Sequence, residues 1–493
     1  MPHPVLYQIN ARCWLRRLSD AEKRPVTLAT VPAAELAGWR KRGFTHLWLM
    51  GVWPTGPAAR AIALQHPELR REYDRVLPGW TEADVAGSPY SVAAYSVAPA
   101  FGGDEALQQF RTRLHELGLK LILDFVPNHL GVDHPWVTEQ PDRFVSSPNP
   151  IPGTFPAKTR TGVRFIAHGK DPYFAPWTDV AQLDYRREAT RQAMRRQLLQ
   201  IAQQCDGVRC DMAMLLLNEV FEKTWARWPT AETPPTGEFW PAAIQAVKTR
   251  FPEFLFIAEV YWGLEGRLQA QGFDFTYDKA WYDDLMGGRP VEAQHRLLAH
   301  PPAYVEHSVH FLENHDEPRV AARLSPAENR AAALAILAVP GMCLLHQGQL
   351  TGARIKLPVQ LGRAPIEPEQ AEIKTAYTAL LAVLPKTCMR RGQGRVLAPR
   401  SAWAGNWSHQ HFLLVLWSEN ANRFDLVVVN LSGQRSQCYA PLDLPEIGDE
   451  DWRLRDLLGE ETYERVGSDL VQSGLYLDVP AHAAQIFRFE PKR

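Results

Sequence analysis

Through the first 390 residues, short apolar and β-branched runs alternate with longer stretches whose apolar positions recur at helical spacing. Eight runs read as strands: VLYQI (5–9), THLWLMG (45–51), LKLILDFV (119–126), GVRCD (207–211), LFIAEV (255–260), FDFTYD (273–278), SVHFLEN (308–314) and MCLLHQG (342–348). Between them lie segments such as DEALQQFRTRLHEL (104–117), helical in period and stopped by Gly118. Eight strands, each followed by a helix, predict an α/β protein built on a closed (β/α)8 TIM barrel.

Two connections are too long to be mere links. Residues 130–183 are rich in Pro, Gly and Thr and hold the strand-like piece VRFIAH, which predicts a small subdomain inserted after the third strand. Residues 349–375 read as an extended loop after the eighth. Beyond about 395 the pattern becomes alternating strands (FLLVLWS, RFDLVVVNLS, AAQIFRFE) divided by turn residues, as in an antiparallel β-sandwich. The expected organisation is a barrel over 1–129 and 184–394, an inserted B domain over 130–183, and a C-terminal sandwich over 395–493.

The 493 residues carry 54 Lys plus Arg against 55 Asp plus Glu, a balance that gives no reason to expect a nucleic-acid or anionic-membrane partner. Cysteines at 13, 205, 210, 343, 388 and 438 form neither a C-x-x-C pair nor a dense framework and fit reduced core thiols. The start MPHPVLYQINARCW shows no signal-peptide pattern, and no apolar run approaches the ~18 residues of a membrane span, so the cytoplasm is the expected location. Many aromatics fall in loop-like segments: Trp53, Trp80, Tyr90, Trp136, Tyr173, Trp177, Tyr261 and Trp262. More than half should simply pack. The rest suit a cleft with flat apolar faces and polar edges, a surface that matches sugar rings.

Barrel chemistry sits where the strands end. The third strand ends Asp124-Phe-Val-Pro-Asn128-His129, the fourth Arg209-Cys-Asp211, and the fifth Glu259, followed by Tyr261 and Trp262. The seventh ends Asn314-His315-Asp316. Carboxylates converging on one rim repel each other, and are retained where chemistry uses them. Arg209 and Asp211, two apart on a strand, share a side; the guanidinium should lower the pKa of Asp211, as suits a nucleophile. Glu259 leaves an apolar strand among aromatics, which should raise its pKa, as suits a general acid. That division of labour is what glycoside cleavage requires.

These segments resemble the α-amylase superfamily of glycoside hydrolases (glycoside hydrolase family 13) from about residue 5 to the end of the chain. DFVPNH (124–129), GVRCD (207–211), AEV (258–260) and FLENHD (311–316) match its four sequence regions in order, and AQLDY (181–185) resembles the short motif closing its B domain. The resemblance implies Asp211 as nucleophile, Glu259 as general acid/base and Asp316 as a third carboxylate gripping sugar hydroxyls. It implies His129 and His315 as further hydroxyl ligands, Arg209 as the holder of Asp211, and Tyr90 as an aromatic platform under the sugar. The implied substrate is an α-1,4-linked maltooligosaccharide or α-glucan, with water or another sugar as acceptor, sucrose- and trehalose-type transfer included. No cofactor is required by this reading; Asn128 alone matches a family calcium ligand.

Two departures stand out. Met212-Ala213-Met214 replaces the Lys-His pair that typically follows the nucleophile, and Ala94 replaces an Asp common in α-glucosidase branches. Two readings of other classes compete: a catalytically silent carbohydrate-binding scaffold, and a metal-dependent hydrolase using Asp124, His129, Asp133 and His134. His409 and His411 form an H-x-H in the sandwich, expected as an exposed hairpin. The oligomeric state is not encoded in any of these patterns.

Overall fold

In a computed structural model describing residues 3–229, 235–420 and 423–492, all eight expected runs form strands. They span Val5–Asn10, His46–Met50, Lys120–Phe125, Gly207–Cys210, Leu255–Ala258, Phe275–Tyr277, Ser308–Phe311 and Met342–His346. These close into one parallel barrel in chain order, the first strand lying between the second and the eighth. The helix expected over 104–117 spans Gly103–Glu116.

Pleat alternation divides the barrel residues into two sets. Leu6, Trp48, Ile122, Ile257, Val309 and Leu344 belong to one buried apolar cluster, while the intervening Val5, Leu47, Leu121, Leu123 and Val208 join the larger core under the helices. Towards the strand ends the first set turns polar, with Gln8, Asp124, Arg209, Asp211 and Glu259 all buried. Register levels Asp124 and Ile257 with Arg209 on either side, so Asp211 and Glu259 stand two residues further up. An apolar floor under a polar roof follows from where each apolar run stops.

Between the third and fourth barrel strands, antiparallel strands including Thr154–Thr159, Gly162–Gly169 and Trp177–Gln182 form a small sheet. The connection after the eighth strand is shorter than expected, because a helix over Ala371–Val383 takes its last residues. The rest is tied across the mouth: Leu361 bridges Val85, and Arg363 meets Asp84 at 2.7 Å. After residue 392, a six-stranded and a three-stranded sheet follow. His409 and His411 lie not on an exposed hairpin but on a 3-10 turn over Ser408–His411, where Gln294 from a barrel helix donates to the His409 carbonyl at 2.9 Å.

Candidate active site

Arg209 is the centre of the polar roof. Its guanidinium, 1% exposed, meets Asp211 Oδ1 at 2.8 Å through Nη1 and Glu259 Oε2 at 2.7 Å through Nη2, with Asp124 Oδ1 at 3.5 Å. One cation thus serves three buried carboxylates, and that arithmetic governs their protonation. Burial pushes Glu259 up to about 7, with Arg209 opposing. Asp124 is driven to about 7 in the same way. Asp211 is also raised, by burial first, with Asp316 adding to the rise and Arg209 resisting it. This corrects the expectation of a lowered Asp211: a guanidinium divided three ways does not offset the desolvation of each partner.

Both oxygens of Glu259 are held. Oε2 accepts from the Met212 main-chain N–H at 2.7 Å besides meeting Arg209, and Oε1 accepts from the Tyr261 hydroxyl at 2.8 Å. A cation and an amide on Oε2 leave Oε1 as the oxygen that can carry a proton. Met212 reaches it from a left-handed backbone conformation (φ 42°), and Trp262, just beyond Tyr261, is left-handed too (φ 67°). Such non-glycine conformations cost about 1–3 kcal/mol each and persist where surrounding contacts impose them.

The segment HFLENHDEPR divides its labour. Glu313 faces inward, fully buried, with Arg319 at 2.5 Å, His346 at 3.2 Å and the Val320 N–H at 2.8 Å. Asn314 Oδ1 accepts from the N–H groups of Asp316 and Glu317, building the turn that presents Asp316. His315 then joins three parts of the rim: Nε2 lies 2.6 Å from the Tyr90 hydroxyl and 2.9 Å from Asp316 Oδ2, while Nδ1 meets Gln8 Nε2 at 2.7 Å. Desolvation by its neighbours raises Asp316, whose side chain is still 45% exposed, but His315, Arg209 and Lys356 together carry it below the ordinary carboxylate range. Lys356, from the loop after the eighth strand, donates to the Asp316 carbonyl.

Tyr90 stacks on His315 (centroids 5.3 Å apart, 27° between planes) with the Arg209 guanidinium 5.2 Å from its ring centre. His129 is buried against Trp177, and burial takes it down to about 3, a neutral imidazole. Arg209, Asp211, Glu259, Asp316, His315 and Tyr90 are thus brought together at one rim, with His129 linked to it through the Tyr90 main chain.

The loop aromatics separate. Trp53 is buried, its Nε1 donating to the Asp124 carbonyl, and Trp136 packs under Arg143. Tyr173 and Trp262 instead meet edge-on at 4.9 Å and remain 57% and 39% exposed, beside Phe174 at 72%. The Met212–Leu216 stretch forms a mostly buried apolar turn and offers a ligand no charged side chain.

A calcium ion does not fit at Asn128. Its amide is spent in a buried pair with Gln182: each side-chain nitrogen donates to the other's oxygen, at 3.2 and 3.0 Å. The four-residue metal reading disperses as well. Asp124 accepts from Trp48 Nε1 at 3.0 Å, Asp133 caps the helix beginning at Pro57, and His134 lies edge-on to Trp136. Among the described residues, no group of three or more His, Cys, Asp or Glu is placed to hold a metal.

Sequence reasoning missed Gln8 and Trp48 as supports, Tyr261 as the partner of Glu259, and Lys356. Only the alternation that turns Gln8 and Trp48 inward offered a signal.

A parallel barrel whose strand ends carry this rim, with a small sheet after the third strand and antiparallel sheets at the end, resembles the architecture of α-amylase-family proteins. The family model "Alpha amylase, catalytic domain" matches residues 81–272, and the resemblance read from the motifs is borne out. The chain is 27% identical over 267 residues to the α-amylase MalA of Haloarcula japonica, a match covering 53% of this chain and 36% of that protein. It is 24% identical over 212 residues to the α-1,4-glucan:maltose-1-phosphate maltosyltransferase of Arcanobacterium haemolyticum, covering 42% and 25%. The matches thus span only a quarter to about a third of those relatives. The noncanonic maltogenic α-amylase AmyB of Thermotoga neapolitana superposes with a TM-score of 0.67 at 22% identity, over 99% of this chain and 98% of that one, a likeness of fold.

Proposed function

We propose that the protein cleaves α-1,4 bonds of maltooligosaccharides or α-glucans with retention, through a covalent glycosyl-enzyme. The observation that carries this reading is the fork of Arg209, with Asp211 on one Nη and Glu259 on the other. It keeps two carboxyl groups close together, as retaining enzymes require (about 5–5.5 Å).

In this mechanism Asp211 attacks the anomeric carbon as Glu259 Oε1 gives its proton to the departing glycosidic oxygen. The bond to the leaving sugar breaks as the bond to Asp211 forms. Glu259, now ionised and steadied by Tyr261, Met212 and Arg209, takes a proton from the incoming hydroxyl, which displaces Asp211 with a second inversion. Asp316 and His315 grip hydroxyls of the distorted sugar, His129 holds another, and Tyr90 lies under the ring. The chain's own residues complete the cycle, so no cofactor or metal is needed. The six cysteines, all buried and unpaired, support a reducing compartment such as the cytoplasm.

Transfer to a second sugar is the other reading, favoured by the exposed Tyr173–Trp262 pair just beyond Glu259. An aromatic face there would hold an acceptor sugar against competition from water. Time-resolved proton NMR of maltoheptaose turnover tests both. Shorter products released as the α-anomer support retaining hydrolysis, and longer oligomers beside them support transfer. β-Anomeric products would overturn the covalent mechanism.

A further inference from the structure

The loop tied across the barrel mouth after the eighth strand crosses it at one particular place. In the closed order of strands, the first lies opposite the fifth, which delivers Glu259. Residues 355–363 run from the side of the eighth strand to the connection between the second and third, so they pass over the end of the first. Two contacts mark the crossing, both from the helix Ala11–Glu22 that follows the first strand. The Cys13 thiol donates to the Leu361 carbonyl at 3.5 Å, and Arg12 donates to the carbonyl of Gly87. This strap walls the mouth on the side opposite Glu259.

The wall has its own support. The N–H groups of Ala86 and Gly87 both donate to the Gln360 carbonyl, at 2.8 and 3.2 Å, and the Gly362 N–H donates to the Asp84 carbonyl at 2.7 Å. Arg363 grips both oxygens of buried Asp84, at 2.7 and 2.8 Å. Leu361 is fully buried in a small core with Tyr73, Val76 and Val85, and Ile355 and Leu357 pack against it. On the inner side, Val359 packs against the apolar cluster that lines the barrel, as Tyr90 does. Lys356 donates to the Asp316 carbonyl. The strap thus touches the rim at Asp316 and shares an apolar support with Tyr90, the two groups assigned above to grip and to carry the reacting sugar.

In a pyranose ring, C1 and C4 lie at opposite ends. Under the cleavage proposed above, on which this inference rests, the oxygen on C1 departs towards Glu259, so O4 of the same sugar points to the opposite wall. A preceding sugar of the chain would have to continue there, and there the strap stands. We infer that residues 355–363 close the site beyond one sugar, so that the protein removes single glucosyl residues from nonreducing chain ends and does not cut inside chains. The selectivity comes from a built clash: an interior segment needs a cleft open at both ends, and this one is shut at one. The other side, where Tyr173 and Trp262 stand exposed, receives the rest of the chain.

The test compares maltoheptaose with the same oligosaccharide capped by an ethylidene acetal at its nonreducing end, with early products separated by chromatography. Uncapped substrate should give glucose and maltohexaose first, and the cap should lower kcat/KM by roughly 100-fold or more. Comparable cleavage of the capped chain, or maltose as the first product, overturns the one-sugar pocket. Opening the strap with Asp84→Asn/Arg363→Ala should raise cleavage of the capped chain by about tenfold or more, with kcat/KM on uncapped maltotriose kept within about threefold. No gain in the folded double variant overturns the strap as the barrier. Where that variant unfolds, Val359→Gly, which leaves the anchors in place, carries the same test with the same outcomes. Binding separates this inference from the reading beneath it. Full-length protein carrying Asp211→Asn should bind maltotriose about tenfold or more tighter than capped maltotriose in calorimetry. If neither heptaose is turned over, the proposed function fails while that preference still upholds the closed pocket. Turnover of both heptaoses with equal binding of the two trioses defeats the strap alone.

Discussion

Tyr90, in the rim, and Trp262, next in sequence to the Tyr261 that donates to Glu259, are held by opposite means. Tyr90 packs against His315 and Arg209, its hydroxyl 2.6 Å from an imidazole that also holds Asp316. Trp262 sits on a left-handed turn, touches Tyr173 edge-on and faces water. One wall of the cleft is preorganised by buried polar contacts; the other is an exposed surface carried by loops. Under the proposed reaction, the locked wall would set which bond is attacked and the exposed wall what receives the glycosyl group. Preorganisation is worth most where charge develops, and exposed aromatic contacts add selectivity in smaller increments.

The largest expected effect is at the locked wall. Asp211→Asn should lower kcat on the order of 10⁴–10⁶-fold while the protein stays folded, as steady-state kinetics beside thermal unfolding would establish. Arg209→Leu should abolish activity and also destabilise the fold by about 3–5 kcal/mol in urea unfolding, because it strands buried carboxylates without their cation. If it unfolded like wild type, the roof would not be organised around that residue.

The pH profile sharpens the assignment of roles. In the proposed mechanism Glu259 donates its proton in the first step, so kcat/KM should fall as pH rises through about 7, the region to which burial pushes it. At the acid end activity should fall as Asp211 is protonated, and its raised pKa places that limb above the ordinary range near 3.9. Tyr261→Phe removes a donor that favours ionised Glu259, so the upper limb should move up by roughly half a unit to one unit. A profile left in place would make Tyr261 a packing residue.

Smaller effects belong to the exposed wall. Trp262→Ala should reduce the ratio of transfer to hydrolysis by roughly 3–10-fold and leave maltotriose hydrolysis within about twofold, read from product analysis at high substrate. Prolonged treatment with a chelator should change neither activity nor melting temperature, since Asn128 and Gln182 already satisfy one another.

The two walls also differ in how legible they were. All eight barrel strands were readable because parallel strands buried on both faces are written as continuous apolar runs, and the residues ending those runs mark the rim. Arg209, Asp211, Glu259 and Asp316 could be found that way. The contacts that set their behaviour could not: Gln8 and His315 are 307 residues apart and meet only because the barrel closes. The direction of the Asp211 shift was missed for a related reason, since the sequence pairs one arginine with one aspartate whereas the barrel makes it serve three carboxylates. Exposed aromatics such as Trp262 and Trp407 have no periodic signature; loop geometry alone separates them from buried Trp53.

The central claim is that Asp211 becomes covalently bound to the sugar. Incubation with 5-fluoro-α-glucosyl fluoride, followed by peptide mass spectrometry, tests it directly, because the ring fluorine slows both steps while the good fluoride leaving group keeps arrival faster than departure. One glycosyl adduct per chain on the peptide containing Asp211, absent in Asp211→Asn, is the predicted result. An adduct on another residue, or none in enzyme that turns over maltoheptaose with release of the β-anomer, would contradict it.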